Sequence, residues 1–368
     1  MRIAVSRVRR PLLFAFLLVV TVSSAAFAQV TPAAGYTPPD DTPTVRVGAT
    51  IFADYTFQQK PRILDVDGNE VSSNAFNVGR AYINVTGNLS HIIAFRVTPD
   101  IVRETGTGSS LNGSLTFRLK YAYAQFNLDD WMNRGSWVRL GMQQTPWVDF
   151  MENVWRYRFQ GTIFEDREGF LSSSDLGVSF RYSLPGNYGD IHTGLYNGDT
   201  YSKAEANDQK GFMIRGSVRP LRMHPVLRGL RVTGFYDKDA YVKNAERERA
   251  IAAITFEHPH LNAAFDYLAA TDQSRATAAE VDARGFSVWA TPRFTGGWEA
   301  VARLDRLEPN TDLAARKTRV IGGVSYWFAL QGSVSTALLF DVENVKYDDF
   351  EPARPTERRF ALHMLVNF

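Results

Sequence analysis

The residue types that carry most enzyme chemistry are sparse in this chain. It has no cysteine, so thiol nucleophiles, paired-Cys metal sites and disulfides are excluded. Neither an HExxH pair nor a P-loop occurs. His91, His192, His224, His258, His260 and His363 are scattered. His258-Pro-His260 has the look of a ligand pair, but it falls in an expected tight turn without a third ligand, so no metal is expected. Serine and aspartate are plentiful, yet no spacing selects a Ser/His/Asp set. No cofactor is implied. The chain does place basic residues opposite apolar faces: Arg80, Arg96, Arg118, Lys120, Arg139, Arg181 and Arg215. A ring of such side chains around a water-filled path favours anions.

The elements that would position them are strands. Val45, Val47, Ala49, Ile51, Ala53, Tyr55 and Phe57 alternate with Arg46, Thr50, Asp54 and Thr56. Leu115, Phe117, Leu119, Tyr121 and Tyr123 alternate with Thr116, Arg118 and Lys120. A period of two puts each set on one face of a strand. Gln125-Phe126 breaks the phase, which predicts a bulge there. Sixteen runs qualify: 44–59, 76–89, 91–102, 114–128, 136–145, 174–184, 188–197, 210–219, 229–238, 249–257, 260–270, 282–292, 297–307, 318–328, 333–345 and 358–368.

Composition alone points elsewhere. The 368 residues are 45% hydrophobic and 22% charged, with a mean hydropathy of −0.22. These values suit a soluble protein. A helical membrane bundle needs several apolar runs of about 20 residues, and this chain has one, at its N-terminus. A transmembrane β-barrel hides its apolar half in alternation and scores as polar. The connections favour it over a β-sandwich. Those after even-numbered strands are mostly short, such as His258-Pro259. Those after odd-numbered strands are mostly long and polar, such as 60–75, 103–113 and 198–209. Short periplasmic turns and long extracellular loops give this rhythm. The fold expected is all-β: a 16-stranded antiparallel transmembrane barrel at residues 44–368, wide enough for an aqueous channel.

The inner face of each strand is expected to meet water. Early strands put the basic set there. Later ones mix Arg231, Arg303, Arg319 and Arg359 with Asp237, Glu257, Asp266, Glu299, Asp305, Asp341 and Glu343. The longest connection, 146–173, is the third odd-numbered one and holds Trp147, Phe150, Trp155, Tyr157, Phe159, Phe164 and Phe170. Exposed, so aromatic a loop would be a liability. Folded into the lumen, it would form a constriction, with Asp149, Glu152, Arg156, Arg158, Glu165 and Asp166 facing the basic arc.

The two ends read as addresses. Arg7, Arg9 and Arg10, an apolar stretch from Pro11 to Ser24, and Ala26-Phe27-Ala28 make residues 1–28 a secretory signal. Removing it takes away four arginines and no acid, so the net charge falls from +2 to −2 and no nucleic-acid partner is expected. Residues 29–43 form a Pro-rich lead-in. At the other end Phe360, Leu362, Met364, Val366 and Phe368 share one strand face. This resembles the terminal signal that the outer-membrane barrel assembly machinery reads.

GRAYINVTGNL at 79–89, LGMQQTPW at 140–147 and the final VNF resemble the phosphate-selective porin O and P family of bacterial outer-membrane porins. The best local match is Gly141–Pro146. Membership implies a homotrimeric channel in the bacterial outer membrane, with lipid around it, a ladder of basic residues and a constriction. The function expected is passive diffusion of small hydrophilic solutes with a preference for anions, phosphate-type anions among them. No enzyme activity is expected; the alternatives are a barrel enzyme or an adhesin without channel activity.

Overall fold

The structure is a computed structural model describing residues 41–330 and 334–368. The expected signal segment and nearly all of the lead-in lie outside these residues. Sixteen strands form one closed barrel, each pairing antiparallel with its neighbours in chain order, and the first pairs with the last. They are β1 (Thr44–Lys60), β2 (Asn74–Asn88), β3 (Ile93–Arg103), β4 (Leu115–Asn127), β5 (Trp137–Gln144), β6 (Ser174–Ser183), β7 (Gly189–Tyr196) and β8 (Gly211–Val218). Then follow β9 (Leu230–Asp239), β10 (Arg247–His258), β11 (Leu261–Asp272), β12 (Val281–Pro292), β13 (Trp298–Glu308), β14 (Arg316–Trp327), β15 (Ser335–Asp348) and β16 (Glu357–Asn367). Every end lies within three residues of its expected place; β15, which runs on to Asp348, departs furthest.

Closure follows from the solvent the outer wall must face. In hydrocarbon an unpaired backbone group costs several kcal/mol, so a spanning sheet can have no edge. The seam is tight: Ala49 and Phe368 exchange two backbone hydrogen bonds of 3.0 Å, and register runs from Thr50↔Asn367 to Phe57↔Phe360. Large apolar residues, including Leu140, Val320, Phe340 and Leu362, stand exposed on the outside. Aromatic pairs flank them, Trp298–Tyr326 near the short-turn end and Tyr55–Phe76 near the long-loop end. An apolar band with aromatic rims is the surface a bilayer requires. No helix among the described residues is long and apolar enough to cross a membrane. The wall is uneven in height. β1 and β2 have 17 and 15 residues; β5, β7 and β8 have eight each.

Two expectations about the inner face need correction. The phase break in β4 is not at Gln125-Phe126. The register slips opposite Thr98/Pro99, which pair with Tyr121 and Leu119, leaving Lys120 as the extra residue. Beyond this bulge Tyr121 and Tyr123 turn inward, where Arg96 and Arg139 stack on them. Second, the inner face does not meet water all round. Along β9–β16 it carries Phe235, Ile251, Leu268, Trp289, Leu339 and Leu365, all buried. The third loop folds onto this apolar patch, and the two form one core inside the barrel.

Candidate permeation pathway

The third loop leaves β5 at Thr145 and enters the lumen as helix α1 (Pro146–Val154). Pro146 occupies the first turn, where its missing N–H costs nothing. Trp147, Phe150, Met151 and Val154 recur at helical spacing and are buried. The opposite face carries Asp149, Glu152 and Asn153. Gly141, just upstream on β5, has φ +124°, and a Cβ there would collide with the Ala122 carbonyl on β4. Glycine at that position therefore allows β4 and β5 to lie close where the loop departs.

Past the helix the loop runs along the far wall. Trp155 packs on Trp289 with ring centres 4.9 Å apart. The Tyr157 hydroxyl donates to Glu299 at 2.7 Å and accepts from Trp327 Nε1 at 3.1 Å. Phe159 reaches Phe52 on β1, at 6.4 Å. A short helix, α2 (Phe164–Arg167), follows, and Glu168 then binds Lys317 at 2.7 Å and Arg319 at 2.5 Å. Burying a large apolar side chain here contributes about 2–3 kcal/mol over leaving it in water.

The loop backbone is satisfied at regular intervals. The carbonyls of Pro146, Val154, Thr162 and Phe170 lie eight residues apart. They accept from Arg215 at 3.1 Å, Asn262 at 3.0 Å, Arg303 at 2.9 Å, and Arg247 and Arg249 at 3.2 Å each. Buried backbone groups need such partners. Polar side chains on β8, β10, β11 and β13 are thus committed to holding the loop.

The candidate passage lies between the polar side of the loop and the wall of β1–β5. There a cavity of about 210 Å³ is lined by Phe52, Tyr82, Arg96 and Tyr121 on the wall and by Asp149, Glu152 and Arg158 on the loop. Carboxylates on one side and a guanidinium on the other set up a transverse field. Glu152 and Arg158 pair at 2.7 Å.

The seven basic residues named from sequence differ in their partners and burial. Arg96 and Arg139 bond only neutral acceptors. Arg96 reaches Thr98 and Asn84; Arg139 reaches Gln125 and Gln144 and lies 3.8 Å from the Trp137 ring centre. Neither has a carboxylate partner among the described residues. Arg80 and Arg118 share one acid, Asp100, at 2.6 and 3.1 Å. Arg181 and Arg215 likewise share Asp190. One acid between two arginines leaves a surplus of positive charge. Lys120 and Arg215 are buried, at 0% and 4% exposure. Of the six loop residues, Asp149, Glu152 and Arg158 line the passage, whereas Arg156 binds Glu299 on the wall at 3.0 Å. Glu165 is fully buried beneath the loop, and Asp166 is half-buried. Phe360, Leu362, Met364 and Val366 face outward on β16, and Phe368 is exposed.

Sequence reasoning missed the mouth at the short-turn end. There a cavity of about 480 Å³ is lined by Arg134, Arg181, Arg219 and Arg231, with Asp190. Arg134 and Arg219 sit in turns, where alternation assigns no face, and neither has an ion pair among the described residues. Among the described residues no group of three or more candidate metal ligands occurs.

No family model and no curated protein matches the chain. Solved structures do. The anion-selective porin from Comamonas acidovorans superposes with a TM-score of 0.60 at 10% identity, covering 89% of this chain and 100% of that one. OmpT of Vibrio cholerae, as a loop L8 deletion mutant, gives 0.59 at 14% identity, covering 89% and 100%. The outer membrane channel DcaP of Acinetobacter baumannii gives 0.56 at 11%, covering 89% and 97%. The chain has the fold of a bacterial outer-membrane porin.

Proposed function

We propose that this protein is an outer-membrane porin that lets small hydrophilic solutes diffuse passively and prefers anions. The observation that carries this reading is the arginine arc. Arg96, which lines the cavity beside the loop, and Arg139 have no carboxylate partner among the described residues, and four further arginines gather at the short-turn mouth. Such an arc, walled by low-dielectric protein, concentrates anions along its length. Phosphate-type anions fit the guanidinium fork, which binds their oxygens in pairs. The likeness of Gly141–Pro146 to the phosphate-selective porins supports the same class of solute. A related fold, OmpT of Vibrio cholerae, is described in a trimer form, and we extend trimeric assembly to this chain. The apolar β16 face, with Phe368 beyond it, is the surface offered to the assembly machinery.

The test is a planar bilayer holding the purified protein across a KCl gradient. Stepwise conductance with an anion-sign reversal potential is expected. No steps would overturn the porin reading, and a cation-sign potential would overturn the anion preference. Adding phosphate to the chloride bath should lower the current as it occupies the arc.

A further inference from the structure

The outer wall of β11–β14 carries a pattern that lipid contact alone does not require. Hydrogen-bond register sorts its outward residues into rows. One row holds Ala263, Ala290, Ala302 and Gly322, all small. The next row toward the long loops holds Phe265, Val288, Leu304 and Val320. All of these but Gly322 line an apolar groove of about 740 Å³, floored by the three alanines. One row further out, Arg306 lies opposite Phe286, and beyond it Arg284 lies opposite Glu308. Successive rows are about 6.6 Å apart.

The charged end is unbalanced. Arg284 and Arg316 both bind Glu308, at 2.6 and 3.2 Å. Arg306 is exposed and has no ion pair among the described residues. Two guanidiniums therefore share one carboxylate and a third has none, while Asp348, opposite Arg316 in register, is taken by Lys346. This charge lies on the lipid-facing side of the barrel, above a groove with space for hydrocarbon. A second copy docked here would have to bury that surplus charge, which costs several kcal/mol per unpaired ion.

We propose that this groove is a binding site for a phosphorylated, multiply acylated lipid of the outer leaflet. Its phosphate would sit between Arg284, Arg306 and Arg316, and an acyl chain would lie along the Ala290–Ala302 floor. Arginine forks match phosphate oxygens in pairs, and the groove supplies the apolar contact that a free anion cannot use. The inference rests on the outer-membrane reading for its orientation, and not on channel activity.

The experiment is native mass spectrometry of the full chain in detergent, with diphosphoryl lipid A, its dephosphorylated form and phosphatidylcholine as probes. The wild-type protein should retain diphosphoryl lipid A at least tenfold more than either other lipid. The R284Q/R306Q/R316Q variant should lose that preference. Ala302→Trp, which fills the floor and leaves every charge in place, should weaken retention several-fold. Equal retention by the triple variant, or full displacement of the lipid by millimolar inorganic phosphate, would overturn the proposal. So would an oligomer that Ala302→Trp dissociates, because the groove would then hold a second copy. Variants are checked for folding by heat-dependent gel mobility. The triple variant should conduct like wild type in the bilayer, so a failure of the porin reading and a failure of this site appear in different measurements.

Discussion

Arg139 on β5 and Arg303 on β13 point into the same barrel from opposite walls, eight strands apart in a ring of sixteen. Arg139 stacks on Trp137 and bonds two glutamine side chains, and it has no carboxylate partner among the described residues. Arg303 is almost wholly buried, binds Asp305 at 2.8 Å, and donates to the Thr162 carbonyl of the loop. The same residue type does opposite work. On one wall arginine is left without a carboxylate. On the other it is a strut beneath a folded loop, beside apolar neighbours that have no business in an open lumen. The difference shows that "lumen-facing" is two environments, and that the third loop decides which strands belong to each.

The most forceful way to break this comparison is to remove the loop. Deleting residues 155–169 should raise single-channel conductance several-fold, because the half-lumen filled by Trp155, Tyr157 and Phe164 would open to water. Unchanged conductance would mean that the loop does not limit the passage. Charge reversal sharpens the comparison further. Arg139→Glu should move the reversal potential toward cations and leave stability nearly unchanged. Arg303→Glu should do the reverse, destabilising the barrel by about 3–5 kcal/mol through the broken buried pair, read by urea unfolding in lipid vesicles. Equal shifts in selectivity from the two variants would erase the distinction between the walls.

The smallest effect expected lies outside both walls. His91, in the β2–β3 turn, binds Asp41 at 2.5 Å and Asp130 at 3.0 Å. Its pKa is raised above the usual 6.5, first by the Asp41 hydrogen bond and then by that of Asp130. A raised pKa means that the clasp holds fully below about pH 6.5 and is lost as pH rises through the raised value. Amide exchange at residues 89–92 should therefore quicken as pH rises through that raised value, beyond the intrinsic base-catalysed rate, while the barrel strands stay protected. No excess over that rate would show that the clasp does not order this turn.

The strands were legible because a wall with lipid outside and water inside must alternate, and period two is visible wherever the faces differ. It fails where they do not. On β11, Ala263 and Ala264 are adjacent and both apolar, as are Ala269 and Ala270, so nothing in the sequence marks the inner face as dry. In β4 the slip was misplaced for a related reason. Tyrosine is at home on a lipid rim and against a guanidinium, so Tyr121 and Tyr123 concealed the extra residue at Lys120, and only Gln125 looked out of phase. The third loop was readable because its aromatic content had to be buried somewhere. Which of its charges face the passage was not, because α1 turns Asp149 and Glu152 one way while the chain beyond it turns Arg156 the other. Arg134 and Arg219 lie in turns, where no periodicity operates.

The low wall at β5, β7 and β8 bears on the membrane itself. Eight residues rise about 26 Å along the strand, and a tilt of about 40° reduces this to about 20 Å of height, against an apolar band of about 25 Å. β5 offers lipid only Val138, Leu140 and Met142, where β1 offers seven outward residues from Val45 to Phe57. The bilayer must therefore thin beside β5 and relax to full thickness beside β1, at a fraction of a kcal/mol for each ångström of mismatch. The barrel carries a built-in wedge, and it will rest most easily where the membrane is thin or where something other than lipid lies against its short side.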